Sequence, residues 1–195
     1  MDKKTLNAYS ALADAYSDDW LAQPEPTDMY ELLEKYFQPG GKTADIGCGN
    51  GRDANWLAKK GFKVFGFDSS KELLAIASQL FPNIRFQQSS LPDLEEITDQ
   101  YENVICETVI MHLPQDQVTR VLDSLRRILS PNGILYLSWR VTEGEDGRHS
   151  DGRLYSAFSP ETILDHFKKS EILHMEDKIS ASSGKRVFRL IYRNS

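Results

Sequence analysis

Three glycines at alternate positions, in Asp45-Ile46-Gly47-Cys48-Gly49-Asn50-Gly51-Arg52-Asp53, are the residues whose type and spacing most plainly imply chemistry. Without a Cβ they let the backbone turn sharply and come close to a ligand. The helix that begins at about Arg52 leaves free amide groups facing the same crevice. Asp68 ends the stretch Lys63-Val64-Phe65-Gly66-Phe67-Asp68 seventeen residues after Gly51. A carboxylate there, with Ser69 beside it, accepts hydrogen bonds from ribose hydroxyls. A tight turn with a capping acid would need only a glycine pair. Glycines that follow a strand, open a helix and are matched by a spaced acid indicate an adenosine-bearing ligand.

Charge separates the possible ligands. Gly49-x-Gly51-x-x-Ala54 also satisfies the nicotinamide-dinucleotide pattern. Asp45, two residues before the first glycine, would repel a pyrophosphate but suits an ammonium group. S-adenosylmethionine carries an ammonium and a positive sulfonium, so the acid favours it.

A second set of residues lies on the later strands and loops around the same crevice. His112 follows the fourth expected strand, and its ordinary pKa near 6.5 suits proton removal at neutral pH; capping or packing the next helix is the other role open to it. Glu107, at the end of that strand, should approach the reacting centre and serve the ligand, a substrate amine or a loop amide. The segment 140–159 carries Arg140, Arg148, His149, Arg153 and Tyr155 among Glu143, Glu145, Asp146 and Asp151. Its arginines can fork onto a substrate carboxylate or phosphate, or the segment can be a solvated loop. Tyr16, with Tyr9 and Trp20, forms part of a cover over the crevice or packs the N-terminal helix, with packing favoured for Trp20. Cys48 and Cys106 are expected as small buried fillers.

These residues are positioned by alternating strand and helix patterns. Apolar residues at three- and four-residue steps make residues 5–37 helical, broken by Pro24 and Pro26. Strands follow at 42–46, 62–67, 84–87, 103–107 and 134–139, with helices at about 52–60, 70–80, 115–129 and 160–168 between or after them. The segments 172–179 and 186–192, joined through Ser182-Ser183-Gly184, read as a hairpin. The whole is a single domain, 1–195: an N-terminal helical cap over 1–37 and an α/β core over 38–195. The core is a doubly wound, mostly parallel sheet of seven strands with one antiparallel strand, its ligand at the carboxyl ends of the first strands.

Composition narrows the function classes. The chain has 195 residues, is 40% hydrophobic and carries a formal charge of −6, ordinary for a globular protein. An acidic total with interleaved signs argues against a nucleic-acid partner. No apolar run approaches the roughly 18 residues of a membrane helix, so a cytoplasmic protein without a membrane partner is expected, as a monomer or homodimer. Two cysteines and no clustered His/Cys spacing give neither a disulfide framework nor a metal site.

Taken together, the motifs resemble a known family. Asp45-x-Gly47-x-Gly49-x-Gly51 is similar to the first motif of the class I S-adenosylmethionine-dependent methyltransferases, and Gly66-Phe67-Asp68 to their second. The likeness runs through Ser89-Ser90-Leu91-Pro92, His112-Leu113-Pro114 and Leu129-x-Pro131-x-Gly133, about residues 38–140. It is nearest the small-molecule type, in which an N-terminal helical segment covers the cofactor, and Cys48–Arg52 is also similar to the bacterial tellurite-resistance methyltransferases. The resemblance implies a Rossmann-like fold and in-line methyl transfer from S-adenosyl-L-methionine to a small-molecule acceptor. Asp45 and Gly47 would hold the methionine part, Asp68 the ribose, and Ser89 and Ser90 would border the adenine. Many members carry an acid where Ser89 stands, so a hydroxyl or backbone contact must substitute. A tRNA-modifying enzyme and a non-catalytic binding partner are the alternatives. In such a transfer the protein supplies proximity and alignment, and a base is needed only if the acceptor's nucleophile carries a proton.

Overall fold

The computed structural model describes residues 1–142 and 144–195, so Glu143 lies outside the described residues. Seven strands form one sheet: β1 (Lys42–Ile46), β2 (Lys63–Asp68), β3 (Arg85–Gln88), β4 (Tyr101–Cys106), β5 (Leu129–Arg140), β8 (Ile172–Ile179) and β9 (Arg186–Arg193). Their order is β3-β2-β1-β4-β5-β9-β8. β1 to β5 pair in parallel, and β9 runs antiparallel to both β5 and β8. This is the Rossmann-like arrangement with a single antiparallel strand. The order reverses between β1 and β4, which opens a crevice at their carboxyl ends.

Neighbouring residues on the central strands belong to different cores because side chains alternate across a sheet. Val104, Leu135, Leu137 and Leu190 join one buried cluster with Val121, Leu122 and Leu125 of helix α6 (Val118–Arg127). Ile105, Ile134, Tyr136 and Ile191 join the other, with Met29 and Leu33 of α3 (Thr27–Tyr36) and Leu57 of α4 (Arg52–Lys59). Burial on both faces explains why these strands read as continuous apolar runs. Helix α5 (Lys71–Leu80) starts at Ser70, whose hydroxyl accepts from the Leu73 amide. The short α7 (Pro160–Leu164) has Ser159 as N-cap and Pro160 at its start.

Three expectations need correction. The N-terminal helix is broken at Leu12 as well as near the prolines: α1 spans Lys3–Ala11 and α2 spans Ala13–Ala22, with Leu12 at φ −121°. Contacts on either side of the break fix it, since Tyr9 and Ser10 are bound to His112 and Ser70, and Ser17 to Asn50. β5 begins at Leu129, earlier than its apolar run, because Ser130-Pro131-Asn132-Gly133 stops α6 but enters the sheet as an irregular stretch. Asn132 is left-handed there, and the Asn132 amide donates to the Asn194 carbonyl at 2.6 Å. The segment after β5 contains a two-stranded ribbon, β6 (Gly147–Arg148) with β7 (Leu154–Tyr155). Helix α1 holds it: Arg148 pairs with Asp2 at 2.8 Å, and the Leu154 amide donates to Thr5 Oγ1 at 2.9 Å.

Among the described residues no helix is long and apolar enough to cross a membrane.

Candidate functional site

The crevice at the carboxyl edge of the sheet holds a cavity of about 260 Å³. Its floor is the loop between β1 and α4, the ends of β4 and β5 form its back, and α1, α2 and the β6–β7 ribbon form its cover.

The loop's backbone is held in the left-handed region at Gly47, φ 75°. A Cβ there would lie 2.3 Å from Val109 Cγ2, so conformation and packing both require glycine. The Asp68 carboxylate accepts from the Gly49 amide at 2.9 Å and the Ser70 amide at 2.8 Å. These bonds fix its direction at the end of β2, while burial pushes its pKa up. Asp45 is buried at 3% exposure, and its Oδ2 has no partner. Burial, then the negative charges of Asp53, Asp68 and Glu107, raise its pKa well above the ordinary value. Glu107 accepts from Tyr136 Oη at 2.6 Å and from Ser138 Oγ; burial raises its pKa too. Thr108, next in the chain, sits at φ 52°, which for a β-branched residue costs about 1–2 kcal/mol. The Thr108 amide donates to Ser138 Oγ at 2.9 Å. That strained turn brings Thr108 to the cavity and Val109 against Gly47.

Three carboxylates, Asp53, Asp68 and Glu107, line one end of the cavity, and Asp45 lies buried behind the loop with an orphaned oxygen. Arg52 is bound to Asp53 at 3.1 Å and offsets part of this charge. Carboxyl groups gathered at this depth and only partly offset favour a cationic guest. The residues present therefore fit an ammonium- and sulfonium-bearing cofactor: a glycine loop that permits close approach, a fixed carboxylate at the end of β2, and further carboxyl groups beside it.

The opposite end is aromatic and basic. His112 is buried, with Nδ1 2.6 Å from the Leu154 carbonyl and Nε2 2.9 Å from Tyr9 Oη. A carbonyl can only accept, so Nδ1 carries the proton and Nε2 accepts from the tyrosine. Burial, with Arg153 and Arg140 nearby, pushes the His112 pKa down to about 4, while burial raises that of Tyr9 to about 12. The Arg153 guanidinium lies over Tyr9, Tyr16 and Tyr155 at 5.4, 5.0 and 5.7 Å and is paired with Asp151 at 2.8 Å. Tyr16 stacks on Trp20 at 5.8 Å, and Trp20 Cζ3 is 2.7 Å from where a Cβ on Gly49 would stand. Trp20 therefore packs on the glycine loop and lines the cavity, where packing on the sheet was expected.

Of the residues singled out from sequence, the cavity brings together Gly47, Gly49, Asp68, Ser69, Glu107, His112, Tyr16, Arg140, Arg153 and Tyr155. Asp45 and Gly51 do not line it: Asp45 accepts from the Ala54 amide of α4, and Gly51 packs near Phe86 and Phe81. Ser89 and Ser90 do not line it either; their hydroxyls donate to Glu96 Oε2 at 2.8 Å and the Leu91 carbonyl at 3.0 Å. Sequence reasoning missed Asn50, whose amide binds Ser17 Oγ at 3.0 Å and docks α2 on the loop. Its place inside the glycine series was the available signal. It also missed Thr108 and the serines of the β8–β9 turn, for which composition gives no signal.

Residues 44–133 match the family described as "Methyltransferase domain". The putative methyltransferase YqeM of Bacillus subtilis is 29% identical over 145 residues, 69% of this chain and 58% of that protein. Among solved structures, the Burkholderia thailandensis 1,6-didemethyltoxoflavin-N1-methyltransferase, with 1,6-didemethyltoxoflavin and S-adenosylhomocysteine bound, superposes with a TM-score of 0.75. It is 16% identical and covers 97% of this chain and 87% of its own. A TehB-like methyltransferase from Corynebacterium glutamicum gives a TM-score of 0.68 at 19% identity, covering 93% and 97%. These structures share the fold. The chain spans 53–62% of the length of the curated relatives it matches first.

Proposed function

We propose that this chain, which belongs to the class I S-adenosylmethionine-dependent methyltransferases, transfers the methyl group of that cofactor to a small-molecule acceptor. The observation that carries this reading is the cluster of Asp53, Asp68 and Glu107 at the glycine loop, backed by buried Asp45, which faces an aromatic end across one cavity. When bound, the cofactor supplies a methyl group on a sulfonium, already activated for displacement. Asp68 would hold the ribose hydroxyls, with Ser69 beside it. Gly47 and Gly49 admit the ligand close to the backbone. Asp45 and Glu107 neutralise its positive end from behind the loop and from the end of β4.

The rest of the machinery orients and excludes water. The strained Thr108 turn follows Glu107 on the cavity wall and helps set where the acceptor's nucleophile approaches. Trp20, Tyr16 and Tyr9 close the site from the helical cap, which with the core makes one domain. His112 is held neutral, and its Nε2 is occupied by the Tyr9 hydroxyl. It acts as a positioning residue for Tyr9 more than as a direct base: any proton it takes from an acceptor passes through that hydroxyl. Serving a small acceptor needs no basic surface, which supports this reading over a tRNA substrate.

The test is transfer of labelled methyl from S-adenosylmethionine across phenol, amine, thiol, metalloid and tRNA acceptors. Turnover on one of the small-molecule classes, with none on tRNA, is expected. Turnover on tRNA alone overturns the choice of acceptor, and cofactor binding without transfer to any class favours the non-catalytic partner.

A further inference from the structure

The two arginines of the acceptor end differ in one respect. Arg153 spends its charge inside the protein: Nε donates to Asp151 at 2.8 Å, and Nη1 reaches Tyr9 Oη at 3.4 Å. Arg140, at the end of β5, has no carboxylate partner among the described residues. Its single hydrogen bond runs from Nη1 to Tyr155 Oη at a long 3.4 Å, and its Nε is buried without a partner. The guanidinium stacks over Tyr155 with its centre 5.7 Å from the ring and lines the cavity. A half-buried arginine that lines the cavity with a buried, unpartnered Nε and no carboxylate beside it is suited to an anion supplied by a ligand.

The surroundings specify more than charge. Tyr155 is stacked by His149 at 4.2 Å on an interplanar angle of 27° and met edge-on by His112 at 4.9 Å. With Tyr9, Tyr16 and Trp20 these rings give flat apolar walls suited to a planar guest. The positive potential of this end also shows in the groups it touches, since Arg153 and Arg140 both depress the His112 pKa. The cavity, about 260 Å³ before a ligand spreads it, lies at the low edge of ordinary ligand sites. With the cofactor at one end, a compact acceptor is all the other can take.

We propose that the acceptor is a small aromatic anion, its carboxylate forked onto Arg140 and its ring held among Tyr155, Tyr9 and Trp20. The planar guanidinium offers paired donors that match a carboxylate. The anionic end then lies at the β5 side of the chamber, leaving the ring's other substituents to face the cofactor end. This inference rests on the methyltransferase reading of the same cavity.

Calorimetric titration of the protein with S-adenosylhomocysteine, followed by aromatic probes on the loaded protein, tests the two separately. The probes are 4-hydroxybenzoate and 3,4-dihydroxybenzoate, their amides, and phenyl phosphate. The carboxylates should bind and the amides bind about 10- to 150-fold more weakly, the worth of a hydrogen bond to a charged group. Arg140→Gln should lose that preference while still binding S-adenosylhomocysteine. Arg140→Lys, which keeps the charge without the fork, should fall between. Phenyl phosphate binding above the carboxylates would overturn the choice of a carboxylate. Amides binding as well as acids, no binding by any anionic probe, or a preference that survives Arg140→Gln overturns the inference. Failure of S-adenosylhomocysteine to bind instead overturns the cofactor reading.

Discussion

The two ends of the cavity are built on opposite electrostatic plans, although they share one floor and one cover. At the glycine loop, Asp53, Asp68 and Glu107 stand close enough to Asp45 for each to raise its pKa, while Arg52 pairs with Asp53 and the charge of Arg189 acts on Glu107. Across the crevice, Arg140 and Arg153 lie among tyrosines, with Asp151 balancing one of the two. The acid end comes from backbone-defined positions, strand termini and a glycine turn. The basic end comes from side chains on a ribbon and on the helical cap. The first is rigid because the sheet fixes it; the second depends on α1 and the ribbon being held together by Asp2–Arg148 and Thr5–Leu154. Substitutions at the two ends should therefore fail in different ways.

The largest effect is expected at Gly47→Ala. The new methyl would meet Val109 Cγ2 at 2.3 Å, on a backbone at φ 75°. Overpacking and left-handed strain together cost about 2–4 kcal/mol. Thermal melting should show the loss, and S-adenosylhomocysteine affinity should collapse, while the acceptor end stays intact; an unchanged melt and affinity would mean the loop is not the constrained element.

At the other end, His112 ties the cap to the core, and its effect should appear in stability against pH. Its pKa falls from 6.5 unfolded to about 4 folded. The unfolded chain then binds the proton more readily, so stability is full above about 6.5 and is lost as the pH falls towards 4, by about 3 kcal/mol. Denaturant unfolding at pH 7 and pH 4.5 should show this slope in the native protein and a shallower one in His112→Gln. Equal slopes would remove the buried neutral ring from the account. If His112 also acts as a base through Tyr9, His112→Gln and Tyr9→Phe should each shift the pH profile of kcat; a purely positioning role leaves the profile in place.

Two smaller substitutions sharpen the boundary of the acid end. Asp68→Ala should weaken S-adenosylhomocysteine binding by about 1.5–3 kcal/mol, as the loss of hydrogen bonds to a charged group, with the fold preserved because the residue ends a strand. Ser89→Ala should change that affinity by less than about 0.5 kcal/mol, since its hydroxyl is spent on Glu96 away from the cavity. A large Ser89 effect would return the serine to the adenine border.

How much of this was legible follows from which forces set each feature. The sheet was readable because strands buried on both faces leave runs such as Ile134–Leu137, and Asp68 because its strand ends where the apolar alternation stops. The extra break at Leu12 was not, because contacts to His112, Ser70 and Asn50, distant in sequence, outweigh local helix propensity there. Nor does spacing distinguish Arg140 from Arg153: both are arginines near one loop, and only the fold gives Asp151 to one and, among the described residues, no carboxylate to the other. Trp20 shows the same limit. Its helical spacing announced a buried face without saying that the face would be a glycine.

The central claim is that the acid end is built for a cation, and calorimetric titration with S-adenosylmethionine, S-adenosylhomocysteine and NAD in buffers of different ionisation enthalpy tests it most directly. Burial and nearby negative charge raise the pKa of these carboxyls, and a positive ligand favours their ionised forms. Binding of S-adenosylmethionine should release protons and tighten as pH rises through that range, with NAD binding negligibly. Tight NAD binding with no response to S-adenosylmethionine, or proton uptake on binding, would contradict it.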